Sequence, residues 1–104
     1  MKRSLYLLTK FKVFLSKTAV SQLNSLNYKL KDRVKKALKN LENGPFLSRS
    51  GADIKKLASK NDPSLYRLRI GDYRVIFFVV DQQVKVTEIF PRKKDINGLI
   101  KLIF

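Results

Sequence analysis

Apolar and polar positions alternate with two different periods along this chain, and the change of period separates helices from strands. Residues 11 to 15 alternate apolar and polar, which predicts a first strand. Two helical segments follow, the first opened by Ser16 as a candidate N-cap and the second closed by Asn-Gly-Pro at residues 43 to 45. Their apolar stripes are formed by Ala19, Val20, Leu23 and Leu26, and by Leu30, Val34, Ala37, Leu38 and Leu41.

Three later segments carry the composition and period of strands, namely residues 65 to 70, 73 to 80 and 84 to 90. The Gly71-Asp72 pair between the first two suits a type II′ hairpin turn, because glycine accepts the positive φ of the first central position. The continuous apolar run from Phe77 to Val80 predicts a central strand that is buried on both faces.

The remaining segments have a weaker pattern. Residues 46 to 64 are interpreted as loops with a short turn of helix or strand, and the apolar segment from Asp95 onward predicts a short C-terminal helix. The chain has 104 residues, enough for one core and too few for two, so residues 1–104 are predicted to form a single domain. We expect an α+β fold with two N-terminal helices packed on an antiparallel sheet of about four strands.

The charge balance is extreme for a chain of this length. Lysine and arginine number 23 against 8 acidic residues, which gives a net charge of +15 and a pI of about 10.4. Such an excess predicts a polyanionic partner: a nucleic acid, the ribosome, an acidic protein or, less favoured, an anionic membrane surface. The alternative is a basic surface that is only solvated.

Several classes of site are excluded by composition. Cysteine and histidine are both absent, which rules out disulfides, thiolate metal sites and the usual general base near neutral pH. We therefore expect no metal and no cofactor. The apolar run within residues 1 to 10 is too short for a signal peptide, and no segment approaches the length of a membrane span. The sequence predicts a soluble, cytoplasmic protein.

Arginines alternate with apolar residues in the predicted hairpin. Leu68 and Ile70 can enter the core, which places Arg67 and Arg69 on the opposite face of the strand. The turn then brings Arg74 back close to Arg69. Arginine binds phosphate oxygens bidentately and keeps its charge, so this face is a candidate polyanion site. The alternatives are arginines that only keep the sheet solvated, or an Arg74 that anchors the hairpin through backbone carbonyls.

The hairpin sequence YRLRIGDYRVIFF at residues 66 to 78, the helix pair before it and the basic segment at residues 90 to 96 resemble the RelE/ParE superfamily of toxin–antitoxin toxins. The resemblance extends from about Phe11 to about Asn97 and implies a RelE-like fold. The superfamily contains both ribosome-dependent mRNA endonucleases and inhibitors of DNA gyrase, so the resemblance leaves the target open.

The resemblance also implies residue roles. Arg67 and Arg69 match basic active-site positions of RelE-type nucleases, one of which assists proton abstraction, while Arg74 and Arg92 match phosphate-binding arginines. These nucleases usually carry a tyrosine shortly after the last arginine, and here residues 95 to 98 contain no aromatic residue. The absence of histidine excludes the histidine-plus-glutamate variant of the family. The further candidates for RNA binding, taken from the basic residues of the sequence itself, are Lys55, Lys56, Lys93 and Lys94.

These observations lead to one preferred function and two alternatives. The preferred function is a type II toxin that cleaves mRNA in the ribosomal A site without metal, giving a 2′,3′-cyclic phosphate and a 5′-hydroxyl. Its expected partners are the ribosome, mRNA and an acidic antitoxin, and the toxin–antitoxin complex is expected to bind operator DNA. The alternatives are a ParE-like gyrase inhibitor and a catalytically degenerate toxin that only binds its antitoxin.

Overall fold

Two helices and a five-stranded sheet form the domain. The structure, a computed structural model, describes residues 10–57 and 63–92. The helices are α1 (Lys17–Asn24) and α2 (Tyr28–Asn40), and a 3₁₀ turn (Leu41–Asn43) follows α2. The strands are β1 (Lys12–Leu15), β2 (Asp53–Lys56), β3 (Tyr66–Ile70), β4 (Tyr73–Val80) and β5 (Gln83–Pro91).

Both helices begin at a side-chain cap. The Oγ of Ser16 accepts a hydrogen bond from the backbone N–H of Ala19 at 3.0 Å, so the predicted N-cap of α1 is confirmed. Asn27 caps α2 in the same way, through a 2.9 Å hydrogen bond from the N–H of Leu30 to its Oδ1. Each cap satisfies one of the N–H groups that a helix start leaves without a partner.

The strand order is β1-β5-β4-β3-β2, which places β4 at the centre of the sheet. The α+β class and the helix pair are confirmed, with two differences in the sheet. The sheet has five strands, because residues 53–56 pair antiparallel with β3, and it is mixed, because β1 runs parallel to β5 at the edge. The predicted C-terminal helix after residue 95 lies outside the described residues.

The two short hairpin turns have different backbone conformations. Gly71 has φ +55° and Asp72 does not have a positive φ, which is the combination that a type II′ turn requires. In the turn between β4 and β5, Asp81 and Gln82 both have positive φ, at 51° and 65°. This two-residue turn makes β5 begin at Gln83 rather than at residue 84.

The helices cover one face of the sheet, and within residues 10–57 and 63–92 no helix packs on the opposite face, which we call the open face. The main core joins Ala19 of α1 and Val34 of α2 to fully buried strand residues such as Leu68 and Phe77. A small second cluster on the opposite face consists of Leu65, Ile76 and Phe90, with Leu57 and Phe78 partly buried against it. β4 therefore has apolar contacts on both faces, as its sequence predicts, although its last residue, Val80, is exposed.

Within residues 10–57 and 63–92, no helix has both the length and the apolar character needed to cross a membrane. The longer of the two helices, α2, has 13 residues and carries an unbroken series of charged side chains on its outer side.

Candidate functional site: an arginine cluster on the open face of the sheet

Strand pairing brings three of the predicted site residues together. Arg69 on β3 lies directly opposite Arg74 on β4, and Arg67 is two residues earlier on the same face of β3. Leu68 and Ile70, which alternate with these arginines, are buried in the main core. The prediction that Arg67 and Arg69 stand on the face away from the helices is therefore confirmed.

The fourth arginine, Arg92, follows the end of β5. Phe90 on β5 is the pairing partner of Arg74. Arg92 follows two residues later, immediately after the strand, and its backbone N–H donates a hydrogen bond to the carbonyl of Asp72 in the β3–β4 turn. This bond fastens the end of β5 to the hairpin. We refer to Arg67, Arg69, Arg74 and Arg92 as the arginine cluster.

The cluster is electrostatically strained. Burial lowers the pKa of the Arg74 guanidinium below its usual value, and the positive charges of Arg67, Arg69 and Arg92 lower it further. The Asp53 carboxylate acts in the opposite direction and is outweighed. A basic group whose pKa falls on folding is more costly to keep charged in the folded state than in the unfolded state, so the cluster lowers stability at every pH at which Arg74 is protonated in both states.

Hydrogen bonding within the cluster is incomplete. Arg67 pairs with Asp53 through a 3.3 Å contact between its Nη2 and the Oδ1 of the carboxylate, and its side chain is only 13% exposed. The Nε atoms of Arg67 and Arg74 are buried and have no hydrogen-bond partner among the described residues. The unsatisfied Nε of Arg74 gives no support to a role as an anchor for the hairpin. An anion with several acceptor oxygens would accept hydrogen bonds from the terminal N–H groups of these guanidiniums and relieve the repulsion.

The arginines stand beside the small apolar cluster of the open face. Ile76 is the pairing partner of Arg67, and Phe90 is the pairing partner of Arg74. Both apolar side chains are buried, at 3% exposure each. Apolar neighbours exclude water from the stems of the guanidiniums, which strengthens the attraction of the charged ends for a bound anion.

The predicted lysines are distributed differently. Lys55 and Lys56 lie on β2 rather than in a loop, because this polar segment pairs with β3. Lys55 is opposite Arg67 and shares its face of the sheet, whereas Lys56 is opposite Tyr66 and belongs to the other face. The structure thus places Lys55 beside the arginine cluster and Lys56 away from it. Lys93 and Lys94 lie outside the described residues.

Asp53 and Arg49 are two charged residues that the sequence interpretation did not single out. Arg49 donates four hydrogen bonds, to the carbonyls of Gly44 and Leu47 at 2.7 and 2.8 Å, and to the carbonyl and Oδ1 of Asn40 at 3.0 and 2.7 Å. It holds the loop between α2 and β2 in place and is a structural residue. No local sequence signal marks either residue, because Asp53 pairs with Arg67 of the next strand and the partners of Arg49 are mostly backbone carbonyls of an irregular loop.

We expect a multivalent anion to stabilise the fold through the arginine cluster. Sulfate or phosphate at about ten times its dissociation constant would add about 1.4 kcal/mol, or roughly 4–8 °C in Tm for a domain of this size. Sulfate also stabilises proteins without binding a site, so the measurement is the difference in Tm between sulfate and chloride at matched ionic strength. Arg74→Ala should show a smaller difference than the wild type; an equal difference would contradict an anion site here.

Comparison with known families identifies the kind of protein. The family model described as "ParE toxin of type II toxin-antitoxin system, parDE" matches residues 13–96. Among curated proteins, none matches this sequence.

Solved structures agree with the family match. The archaeal RelE–RelB complex from Pyrococcus horikoshii OT3 matches with 35% identity and a TM-score of 0.69, over 81% of this chain and 97% of that chain. A RelB–RelE antitoxin–toxin complex from Methanococcus jannaschii matches with 25% identity and a TM-score of 0.63, over 77% and 91% of the two chains. The isolated E. coli RelE toxin has the same fold, with a TM-score of 0.66 over 90% of this chain and 99% of that chain. The identity of the two sequences is 18%.

Proposed function

Since the chain belongs to the ParE toxin family of type II toxin–antitoxin systems, within the RelE/ParE superfamily, we propose that its arginine cluster binds mRNA and cleaves it on the ribosome. The observation that carries this proposal is the geometry of the cluster. Four guanidiniums share one open face of the sheet, and among the described residues Asp53 forms an ion pair with one of them, Arg67. Such an excess of fixed positive charge fits a polyanion.

The proposed reaction is an internal transesterification that consumes no water. The 2′-oxygen of the RNA attacks the adjacent phosphorus, the bond from phosphorus to the 5′-oxygen breaks, and the products are a 2′,3′-cyclic phosphate and a 5′-hydroxyl. Arg74 and Arg92 stabilise the additional negative charge that develops on the phosphate oxygens. Arginine suits this task because its two parallel N–H donors match two phosphate oxygens and its charge persists.

Two protons move during the reaction, one from the 2′-hydroxyl and one to the leaving 5′-oxygen. We assign Arg67 and Arg69 to positioning the phosphate and to this proton transfer. The ion pair with Asp53 fixes the orientation of Arg67. Guanidinium groups stay protonated near neutral pH and therefore have almost no free base with which to accept a proton, so the chemical step is expected to be slow compared with enzymes that use histidine.

The proposed inhibitor is an acidic antitoxin. The solved Pyrococcus horikoshii and Methanococcus jannaschii relatives are complexes of RelE with RelB. A net charge of +15 favours an acidic partner for this chain, because an acidic segment on the arginine cluster would neutralise it and exclude RNA. We further propose that the toxin–antitoxin complex binds operator DNA and that both proteins act in the cytoplasm.

The test is a map of transcript 5′ ends after brief induction in a bacterial host. We expect new breaks within translated reading frames, dependent on translation, for the wild type and for Lys35→Ala, which removes an exposed positive charge from α2. Arg67→Ala should lose the breaks, because it removes a guanidinium that positions the phosphate. Breaks that persist at wild-type level in Arg67→Ala would overturn the proposal.

A ParE-like inhibitor of DNA gyrase is the second candidate function. The family model that matches this chain is a ParE model, and the chain has neither histidine nor an aromatic residue at positions 95 to 98. Under this function the arginines serve the fold and antitoxin binding. Growth arrest with a DNA-damage response and without transcript breaks would select gyrase. Absence of any arrest would indicate a degenerate toxin that only binds its antitoxin.

A further inference from the structure

A cleft opens beside the arginine cluster, between α2 and the tip of the β3–β4 hairpin. Its volume is about 300 Å³. α2 contributes Arg33 and Ala37 to its wall, and the opposite wall contains Arg69 and Gly71. Arg69 also belongs to the arginine cluster, so the cleft and the arginine cluster are adjacent and share this residue.

Arg33 reaches across this cleft onto the hairpin turn. A Cβ atom added to Gly71 would lie 3.1 Å from the Nη2 and 3.7 Å from the Cζ of Arg33, so the guanidinium rests against the turn backbone. Glycine is required there by its φ of +55°, and its lack of a side chain also makes room for Arg33. The guanidinium of this exposed residue therefore lies beside the hairpin turn.

The charge of the cleft is not balanced from within. Three arginines and one carboxylate line it, namely Arg33, Arg49, Arg69 and Asp53. Asp53 is already paired with Arg67, and the hydrogen bonds of Arg49 go to neutral groups of its own loop. Among the described residues, neither Arg33 nor Arg69 has an ion-pair partner. The cleft thus carries a net positive charge among its described lining residues.

We propose that this cleft is a second phosphate subsite, in which Arg33 holds a backbone phosphate of the same RNA strand whose reacting phosphate lies on the arginine cluster. The proposal rests on the proposed function for its ligand. Arg69 connects the two sites, since it lines the cleft and is paired with Arg74. A strand leaving the cluster along the hairpin would enter the cleft directly.

An extended nucleic acid fits this arrangement better than a single small anion, because its phosphates repeat along one backbone and can occupy both sites together. Single-stranded nucleic acid is commonly bound in a cationic groove that follows its backbone. Two sites on one strand also act together, since occupation of the first raises the effective concentration of RNA at the second. Arg33 therefore contributes affinity only for a strand long enough to reach it.

The test measures equilibrium binding of fluorescent RNA oligonucleotides to the full chain, using a trinucleotide and an octanucleotide without ribosomes. Arg33→Gln removes the charge and the guanidinium while keeping a polar side chain at this position. Lys35→Ala is the matched control: it removes one positive charge from the same helix, at a residue that lines a different hollow with Tyr28 and Asp32.

We expect Arg33→Gln to weaken octanucleotide binding about tenfold and to lower the slope of log affinity against log salt by about 0.7, the value for one phosphate contact on a single strand. Trinucleotide binding should be unchanged, and Lys35→Ala should behave as the wild type with both probes. Equal losses of octanucleotide affinity in Arg33→Gln and Lys35→Ala would overturn the proposal, since they would show that only the total positive charge of the protein matters. Equal losses for both oligonucleotides in Arg33→Gln would also overturn it.

A hexaglutamate peptide separates RNA from an acidic protein as the ligand. If Arg33→Gln weakens binding of the peptide and leaves binding of the octanucleotide unchanged, the cleft is a protein-binding site and the proposal fails.

The proposal for the cleft and the proposed function are tested by different experiments, so one can fail without the other. Absence of transcript breaks would overturn the nuclease, whereas the oligonucleotide assay reports on the cleft regardless of cleavage. Circular dichroism and Tm of each variant confirm that binding is compared between folded proteins.

Discussion

Replacing Arg74 by alanine should reduce ribosome-dependent mRNA cleavage about 100- to 1,000-fold, the usual effect of removing one preorganised donor from a charged transition state. Arg74 stands between Arg69 on one neighbouring strand and Phe90 on the other, so it occupies the middle of the open face. Its position allows its charge to act on a phosphate bound by the other arginines.

The same substitution should leave the free energy of unfolding unchanged or slightly higher. Burial and the charges of the other arginines lower the pKa of Arg74, which means that folding is opposed by its charge at neutral pH. Its Nε is also buried without a hydrogen-bond partner. Alanine removes the repulsion and the unsatisfied donor together, and these gains offset the packing lost with the side-chain stem.

The decisive comparison is between Arg74→Ala and Arg49→Ala, which make the same chemical change at two partly buried arginines. Arg49 donates four hydrogen bonds to its own loop, so its loss should lower the free energy of unfolding by about 1–3 kcal/mol. Urea denaturation measures stability and primer extension measures cleavage. A large loss of stability in Arg74→Ala would indicate that Arg74 is a structural residue. Cleavage at wild-type level in Arg74→Ala would show that Arg74 takes no part in the proposed reaction.

The parts of this fold that the sequence predicts are the ones determined by neighbouring residues. The Ser16 cap, the two helical stripes and the Gly71 turn each depend on side chains within a few positions of one another. The sequence does not decide between helix and strand for β2, because Asp53, Lys55 and Lys56 surround a single buried residue, Ile54, which is too little to show a period of two. Its strand conformation comes from pairing with β3, a contact that no local pattern records.

The same distinction applies to the candidate site. Alternation and a tight turn suffice to predict that Arg67, Arg69 and Arg74 share a face, because the register of a two-residue hairpin is fixed. The ion pair of Arg67 with Asp53 and the approach of Arg33 to Gly71 join residues that are far apart in sequence. Among so many basic residues, composition alone cannot distinguish Arg33 from the solvated lysines of α2. Only the position of the helix over the hairpin does so.

Replacing Phe77 by alanine should lower the free energy of unfolding by about 3–5 kcal/mol, the range for a fully buried aromatic residue. Phe77 is 0% exposed and, within the part of the chain that the structure describes, has the largest completely buried side chain. It lies on the central strand, and its ring stacks on that of Tyr66, with centroids 5.5 Å apart and planes inclined by 16°. The neighbouring strands are fixed by pairing on both sides of β4, so the structure cannot collapse to fill the cavity.

A loss of this size is a large part of the 5–15 kcal/mol that stabilises most domains, so Phe77→Ala should be partly unfolded at growth temperature. Phe78→Ala is the matched control: the adjacent residue is only half-buried, against the small cluster on the open face, and should cost about 1–2 kcal/mol. Urea denaturation of both variants measures the difference. Equal losses would mean that the open face is as tightly packed as the helix-covered one.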